Sequence, residues 1–133
     1  MPQDALPTIS LVISTYNNPV ALNEILRRIE KGTELPEQLL ISDDGSGEET
    51  RELVGRWKKE SALDIVHCWH EDAGFRKTRV LNMAASRATG DYLLFLDGDC
   101  LPSVRFVGDH RKLAETGYFV QGRRAFIAEE AVS

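Results

Sequence analysis

The stretch FLDGDC at residues 95–100 sets two carboxylates, Asp97 and Asp99, on either side of Gly98, directly after the apolar run Tyr92-Leu93-Leu94-Phe95-Leu96. Two acids at that spacing on an extended turn can both face a hard cation. Mg²⁺ and Mn²⁺ take oxygen ligands, one or two carboxylates with water and phosphate completing the shell. Gly98 suits either a close backbone approach or a positive φ. Taken alone the tripeptide is also an ordinary solvated turn; its position after a buried strand favours the metal. A calcium loop of the EF-hand kind is excluded. Counting from Asp97, the places that need an acid, a glycine and a glutamate hold Leu101, Pro102 and Gly108.

A second acidic cluster, SDDGS at residues 42–46, follows another apolar stretch. Asp-Gly there is a turn, and Ser46 with Glu49 has capping-box spacing. Asp44 can still reach a ligand, because an aspartate in a crevice accepts from a base N–H or binds ribose hydroxyls. The run TISLVIS ends in Ser14, followed by Thr15, Tyr16 and Asn17, and the Tyr16 ring suits packing on a nucleobase. In EDAGFRKTRVLN (71–82), Arg76, Lys77 and Arg79 bring positive charge that can meet phosphates or a base edge. Basic groups at a helix N-terminus oppose its dipole, which favours such a purpose over a solvated first turn. His67, His70 and His110 lack zinc-site spacing, and His110 reads as a core histidine. The P-loop, dinucleotide and nucleophile-elbow motifs are absent from the sequence.

Strands are expected at Thr8–Ser14, 38–44, Leu63–Trp69, 91–97 and 118–122. Asn17 or Asn18 can cap a first helix with Pro19 in its first turn, and Leu22, Ile25, Leu26 and Ile29 recur at i, i+3, i+4, i+7 until Gly32. A second helix turns Leu53, Val54 and Trp57 inward. A third, from about Lys77 to Ala88, presents Val80, Leu81, Ala84 and Ala88, and a fourth turns Phe106, His110 and Leu113 inward. Strands alternating with helices predict an α/β fold, a Rossmann-like, mostly parallel sheet with helices on both faces. Right-handed crossovers put the carboxyl ends of the strands on one edge, where open α/β sheets bind ligands. Three strand ends then deliver polar groups to one crevice, and at least two deliver acids.

The chain has 133 residues, the size of one domain, with 42% apolar and 28% charged residues, an ordinary globular balance. Its net charge of −5 lacks the basic footprint of a nucleic-acid binder. An anionic ligand must be gripped locally, by a metal, a few cations or backbone amides. No apolar run approaches the roughly 20 residues of a membrane span, and the N-terminus has no signal-peptide pattern. The expectation is a soluble, cytoplasmic protein.

The stretches SLVISTYNNP, LLISDDGSGEET and HEDAGFRKTRVLNMAASRATGDYLLFLDGDCLP, with Phe106 and His110 beyond them, resemble glycosyltransferase family 2, in its nucleotide-binding half with the GT-A fold. The likeness runs over nearly residues 8–122. EDAGFR with DGDCLP is most similar to the chondroitin-polymerase-type branch. The resemblance implies a metal-dependent, inverting transferase that moves a sugar from a nucleoside-diphosphate donor, a UDP-sugar, to a saccharide or other hydroxyl acceptor. It implies that Ser14 and Tyr16 line the base and ribose pocket, that Asp44 meets the uracil N–H and that Arg76 flanks the base. Asp97 would lie near the ribose and share the metal site, and Asp99 would hold the Mg²⁺ or Mn²⁺ bridging the diphosphate. Family members often carry Arg-Asn where this chain has Leu81-Asn82, which leaves the phosphate-binding cation open among Arg76, Lys77 and Arg79.

Family 2 domains are longer, so residues 1–133 are expected to form one nucleotide-sugar-binding domain with the acceptor half largely absent. Glu129 and Glu130 are not placed as a general base, and that base is not identified. The alternative function is a nucleotide-sugar-binding module without transfer activity. A haloacid-dehalogenase-like phosphatase is discounted, because its Asp pair belongs on the first strand rather than the fourth. A strand order 3-2-1-4 would hold Cys68 and Cys100 about 14 Å apart at three strand spacings, beyond disulfide reach, and so as free thiols. An exposed sheet edge would be a surface for homodimer pairing.

Overall fold

The computed structural model describes residues 6–72 and 77–113. In chain order it contains β1 (Ile9–Thr15), α1 (Pro19–Glu30), β2 (Gln38–Asp43), α2 (Glu48–Glu60), β3 (Ile65–Trp69), α3 (Lys77–Arg87), β4 (Tyr92–Asp97) and α4 (Phe106–Leu113). The expected strand at 118–122 lies outside the described residues, as do Arg76, Glu129 and Glu130.

The four strands form one parallel sheet in the order β3-β2-β1-β4. β1 sits between two neighbours with helices above and below, so all seven of its residues are buried. That is why it reads as a continuous β-branched run rather than an alternating one. Helices cover both faces, as expected. One core layer joins Ile9, Leu11 and Ile13 to Leu22, Ile25, Leu26 and Ile29 of α1, Leu53 and Val54 of α2, and Val107 of α4. The other joins Val12, Leu40 and Cys68 to Val80 and Ala84 of α3. The i, i+3, i+4, i+7 stripe of α1 is thus its buried face, each such side chain contributing roughly 1.5–3 kcal/mol of transfer free energy. Pro19 opens the helix at a position that needs no N–H, and Asn18 Oδ1 accepts from Ala21 N at 3.3 Å.

Three local expectations are corrected. The N-cap of α2 is Gly47, without a side-chain cap, because the Ser46 hydroxyl is used elsewhere and accepts from Asn17 N at 2.7 Å. The inward face of α4 is Val107, Gly108 and Arg111, while Leu113 is 59% exposed. Phe106 does pack, half-buried, against the core layer as expected, and it meets the half-buried His110 edge to face at 5.0 Å. Arg111 sets this rotation. Its guanidinium pairs with Glu34 and Glu37 and donates to the carbonyls of Leu35 and, through Nε, Pro7, tying α4 to the start of β1 and to the α1–β2 connection. Finally, β4 is not buried throughout: Leu94 faces the α1 layer, but Leu93 and Phe95 are exposed among the described residues. Among the described residues it is one of the two edge strands of the order, and α3 lies over β1, β2 and β3. The same order puts Cys68 and Cys100 toward opposite edges, and among the described residues neither is in a disulfide.

Register positions the site. Ser14 is level with Ser42 of β2 and with Asp97 of β4, and Thr15 with Asp43. The carboxyl ends of β1, β2 and β4 therefore finish on one line. The chain runs from β1 outward to β3, then returns to place β4 on the other side of β1, which opens a crevice at that switch point.

Candidate functional site

Three loops leave this edge and are locked to one another. Asn17, at φ 45°, takes the left-handed conformation that asparagine tolerates. From there its Oδ1 accepts from Gly47 N at 2.8 Å, which clips the β1 loop to the β2 loop. Gly45, at φ 95°, lies under Asp72, and a Cβ on it would stand 2.5 Å from the Asp72 backbone. Asp72 in turn accepts from the Tyr16 hydroxyl at 2.6 Å. That bond, with the negative charge behind it, holds the phenol pKa above its usual value.

The paired acids at the end of β2 have separate fates. Asp43 is fully buried: Oδ1 accepts from Ser46 N at 2.9 Å, and Oδ2 meets His67 Nε2 at 2.8 Å. Asp44 turns to the cleft, with Oδ1 2.5 Å from His70 Nε2. At β4, Asp97 Oδ1 accepts from Lys77 Nζ at 3.0 Å and from Ser14 Oγ at 3.3 Å. Asp99 is exposed, and its Oδ1 accepts from the Cys100 thiol at 3.4 Å.

These groups surround one cleft of about 530 Å³. Ser14, Tyr16, Asp44, Asp97 and Asp99 all line it, together with Thr15, Asn18, Asp72, Lys77 and Gly98. Arg76 lies outside the described residues. Of the remaining basic candidates, Lys77 lines the cleft, whereas Arg79 is exposed on α3 and is not among the lining residues. Asp72 and His70 were not singled out from sequence as site residues. Both follow β3 directly, so the strand-end rule that found Asp44 and Asp97 applied to them equally.

Gly98 serves close approach rather than a positive φ. A Cβ there would fall 2.2 Å from Ser14 O, inside any contact distance. Gly98→Ala is expected to cost about 1–3 kcal/mol, as overpacking does. The check is a lower urea midpoint at unchanged m-value; an unchanged midpoint would show that the two strand ends are not in tight contact.

The donor set fits a hard divalent cation. Asp97, Asp99 and Cys100 can each offer a ligand atom, and these lie within 4.8 Å of one another. Two of the three are carboxylates, the chemistry that Mg²⁺ and Mn²⁺ select. Among the described residues, no helix is long and apolar enough to cross a membrane.

Residues 10–132 match the family model "Glycosyl transferase family 2". The chain is 35% identical over 104 residues to a validoxylamine A glucosyltransferase of Streptomyces hygroscopicus subsp. limoneus, covering 77% of this chain and 22% of that protein. It is 30% identical over 106 residues to a chondroitin synthase of Escherichia coli, covering 79% of this chain and 15% of the relative. The chain thus spans about a fifth or less of the length of these relatives. Among solved structures, the mannosyltransferase PcManGT from Pyrobaculum calidifontis, in complex with GDP-Man and Mn²⁺, superposes with a TM-score of 0.68 at 26% identity, covering 85% of this chain and 34% of that one. The parallel sheet, the switch-point cleft and the relatives agree: the chain belongs to glycosyl transferase family 2, with the GT-A fold.

Proposed function

We propose that this chain is the donor-binding domain of a transferase that moves a sugar from a UDP-sugar to a hydroxyl acceptor with inversion, using a divalent cation. One observation carries the reading: at the switch point of the sheet, four carboxylates and one lysine among the described residues line a single cleft. Such a mouth repels a bare diphosphate and accepts one whose charge a metal offsets. Relatives named as sugar transferases and polysaccharide synthases support the same chemistry, as does a neighbour holding GDP-Man with Mn²⁺.

In this reading Asp44 accepts from the uracil imide, the Tyr16 ring packs on the base, and Ser14 and Asp97 hold the ribose side. Lys77 offsets phosphate charge, a task that Arg76 would share. Asp99, helped by Asp97, holds Mg²⁺ or Mn²⁺. When bound, the cation acts as a Lewis acid on the leaving diphosphate. The protein's part is to fix base, ribose and metal ligands on three rigid strand ends, so that little reorganisation remains at the moment of transfer. Cys68 and Cys100, outside any disulfide among the described residues, suit a reducing, cytoplasmic setting.

The test is a thermal-shift screen of UDP, GDP, CDP and ADP, each with and without Mn²⁺. Ligand bound to the native state raises the midpoint by mass action. UDP with Mn²⁺ should give the largest rise. An equal rise from all four without metal would defeat the proposal.

A further inference from the structure

We infer that His70 is a positioning residue that sets the base selectivity of the cleft by fixing the Asp44 carboxylate. This rests on the donor-site reading above. His70 Nε2 lies 2.5 Å from Asp44 Oδ1, and both side chains are about nine-tenths buried, at 10% and 9% exposure. Contact with a carboxylate puts the ring proton on Nε2. His70 Nδ1 is buried with no hydrogen-bond partner among the described residues, so Asp44 is the ring's described polar contact.

Residues on either side of His70 in the chain are themselves held. Trp69, just before it, donates its indole N–H to Ser46 O at 3.0 Å. Asp72, two residues after it, lies against Gly45 and receives the Tyr16 hydroxyl. His70 is thus anchored to the same loop that carries Asp44. A carboxylate without such a partner turns about its last torsion and presents its acceptors over a broad arc. Pinned by a fixed donor, it presents one acceptor edge, and hydrogen bonds weaken steeply as they leave alignment. A fixed acceptor favours a base with an imide N–H, such as uracil, and repels cytosine, whose corresponding ring nitrogen carries a lone pair. His67 makes the same contact with Asp43, but Asp43 is fully buried and neither residue lines the cleft.

The experiment measures affinities for UDP, CDP and inorganic pyrophosphate, each with Mn²⁺, in the wild type and in His70→Gln, His70→Met and Asp44→Ala. Gln keeps an amide donor, and Met keeps volume without one. His70→Met should lose about tenfold in UDP affinity, the scale of one oriented hydrogen bond to a charged group. CDP and pyrophosphate affinities should stay unchanged, and His70→Gln should restore most of the UDP preference. Circular-dichroism melts establish that each variant is folded, and an unfolded His70→Met is replaced by His70→Leu. An unchanged UDP-to-CDP ratio in the donorless variant would overturn the inference, as would an equal loss for pyrophosphate. Asp44→Ala separates the two levels. If it leaves the ratio unchanged, the Asp44 donor-site reading itself fails; if it collapses the ratio and the His70 variant does not, only the positioning role is lost.

Discussion

Asp99→Ala is expected to lower Mn²⁺-dependent affinity for UDP by about a hundredfold or more, about 2.7 kcal/mol. Asp44, Asp72 and Asp97 would still line the cleft, opposed among the described residues by Lys77. Without the cation, a diphosphate entering that mouth meets like charge at short range, where low-dielectric walls strengthen the repulsion. Asp99 is exposed on a turn after β4, so its removal should leave the melting temperature within about 2 °C of the wild type, as surface substitutions do. Calorimetric titration with UDP and a thermal melt read the two outcomes separately. Unchanged UDP affinity would remove Asp99 from the site.

Asp43→Ala should do the reverse, and mainly to stability. Its carboxylate is fully buried, with one oxygen on Ser46 N and the other on His67 Nε2. Truncation leaves the buried Ser46 N–H and the part-buried His67 ring without this partner, each at roughly 1–3 kcal/mol. A total loss of about 3 kcal/mol corresponds to a melting temperature lower by roughly 10 °C in a domain of this size. The loop carrying Asp44 and Ser46 loses its anchor at the same time, so weaker UDP binding should accompany the lower melt. A melting temperature within about 2 °C of the wild type would mean that the Asp43 contacts contribute little. Two adjacent aspartates with opposite assignments, one to the fold and one to the cleft, make a stringent comparison.

Much of this architecture was legible in the residues. Periodicity marked the helices, and β-branched runs marked the strands. Acids directly after apolar runs marked the edge where Asp44, Asp97 and Asp99 gather, because a parallel sheet collects its carboxyl ends. Illegible parts depended on partners distant in sequence. Nothing local singles out Arg111 as a buried residue of α4; its partners Glu34 and Glu37 lie more than seventy residues earlier, and Leu113, expected inward, is exposed. Ser46 had the spacing of a capping residue, yet Asn17 claims its hydroxyl. The Leu93 and Phe95 positions read as core because apolar residues do not reveal whether their strand is central or at an edge. His70 lacked any metal spacing, and its partner Asp44 lies twenty-six residues before it. Local pattern identifies which groups reach the edge; pairing across loops decides how each is held.

The most direct measurement is a calorimetric titration of the protein with UDP in Mn²⁺, repeated in EDTA. A donor site built as proposed, with three strand ends clasping a metal-neutralised diphosphate, would give saturable one-to-one binding in Mn²⁺ that disappears with chelation. Binding of equal strength in EDTA, or no binding in either buffer, would contradict the account.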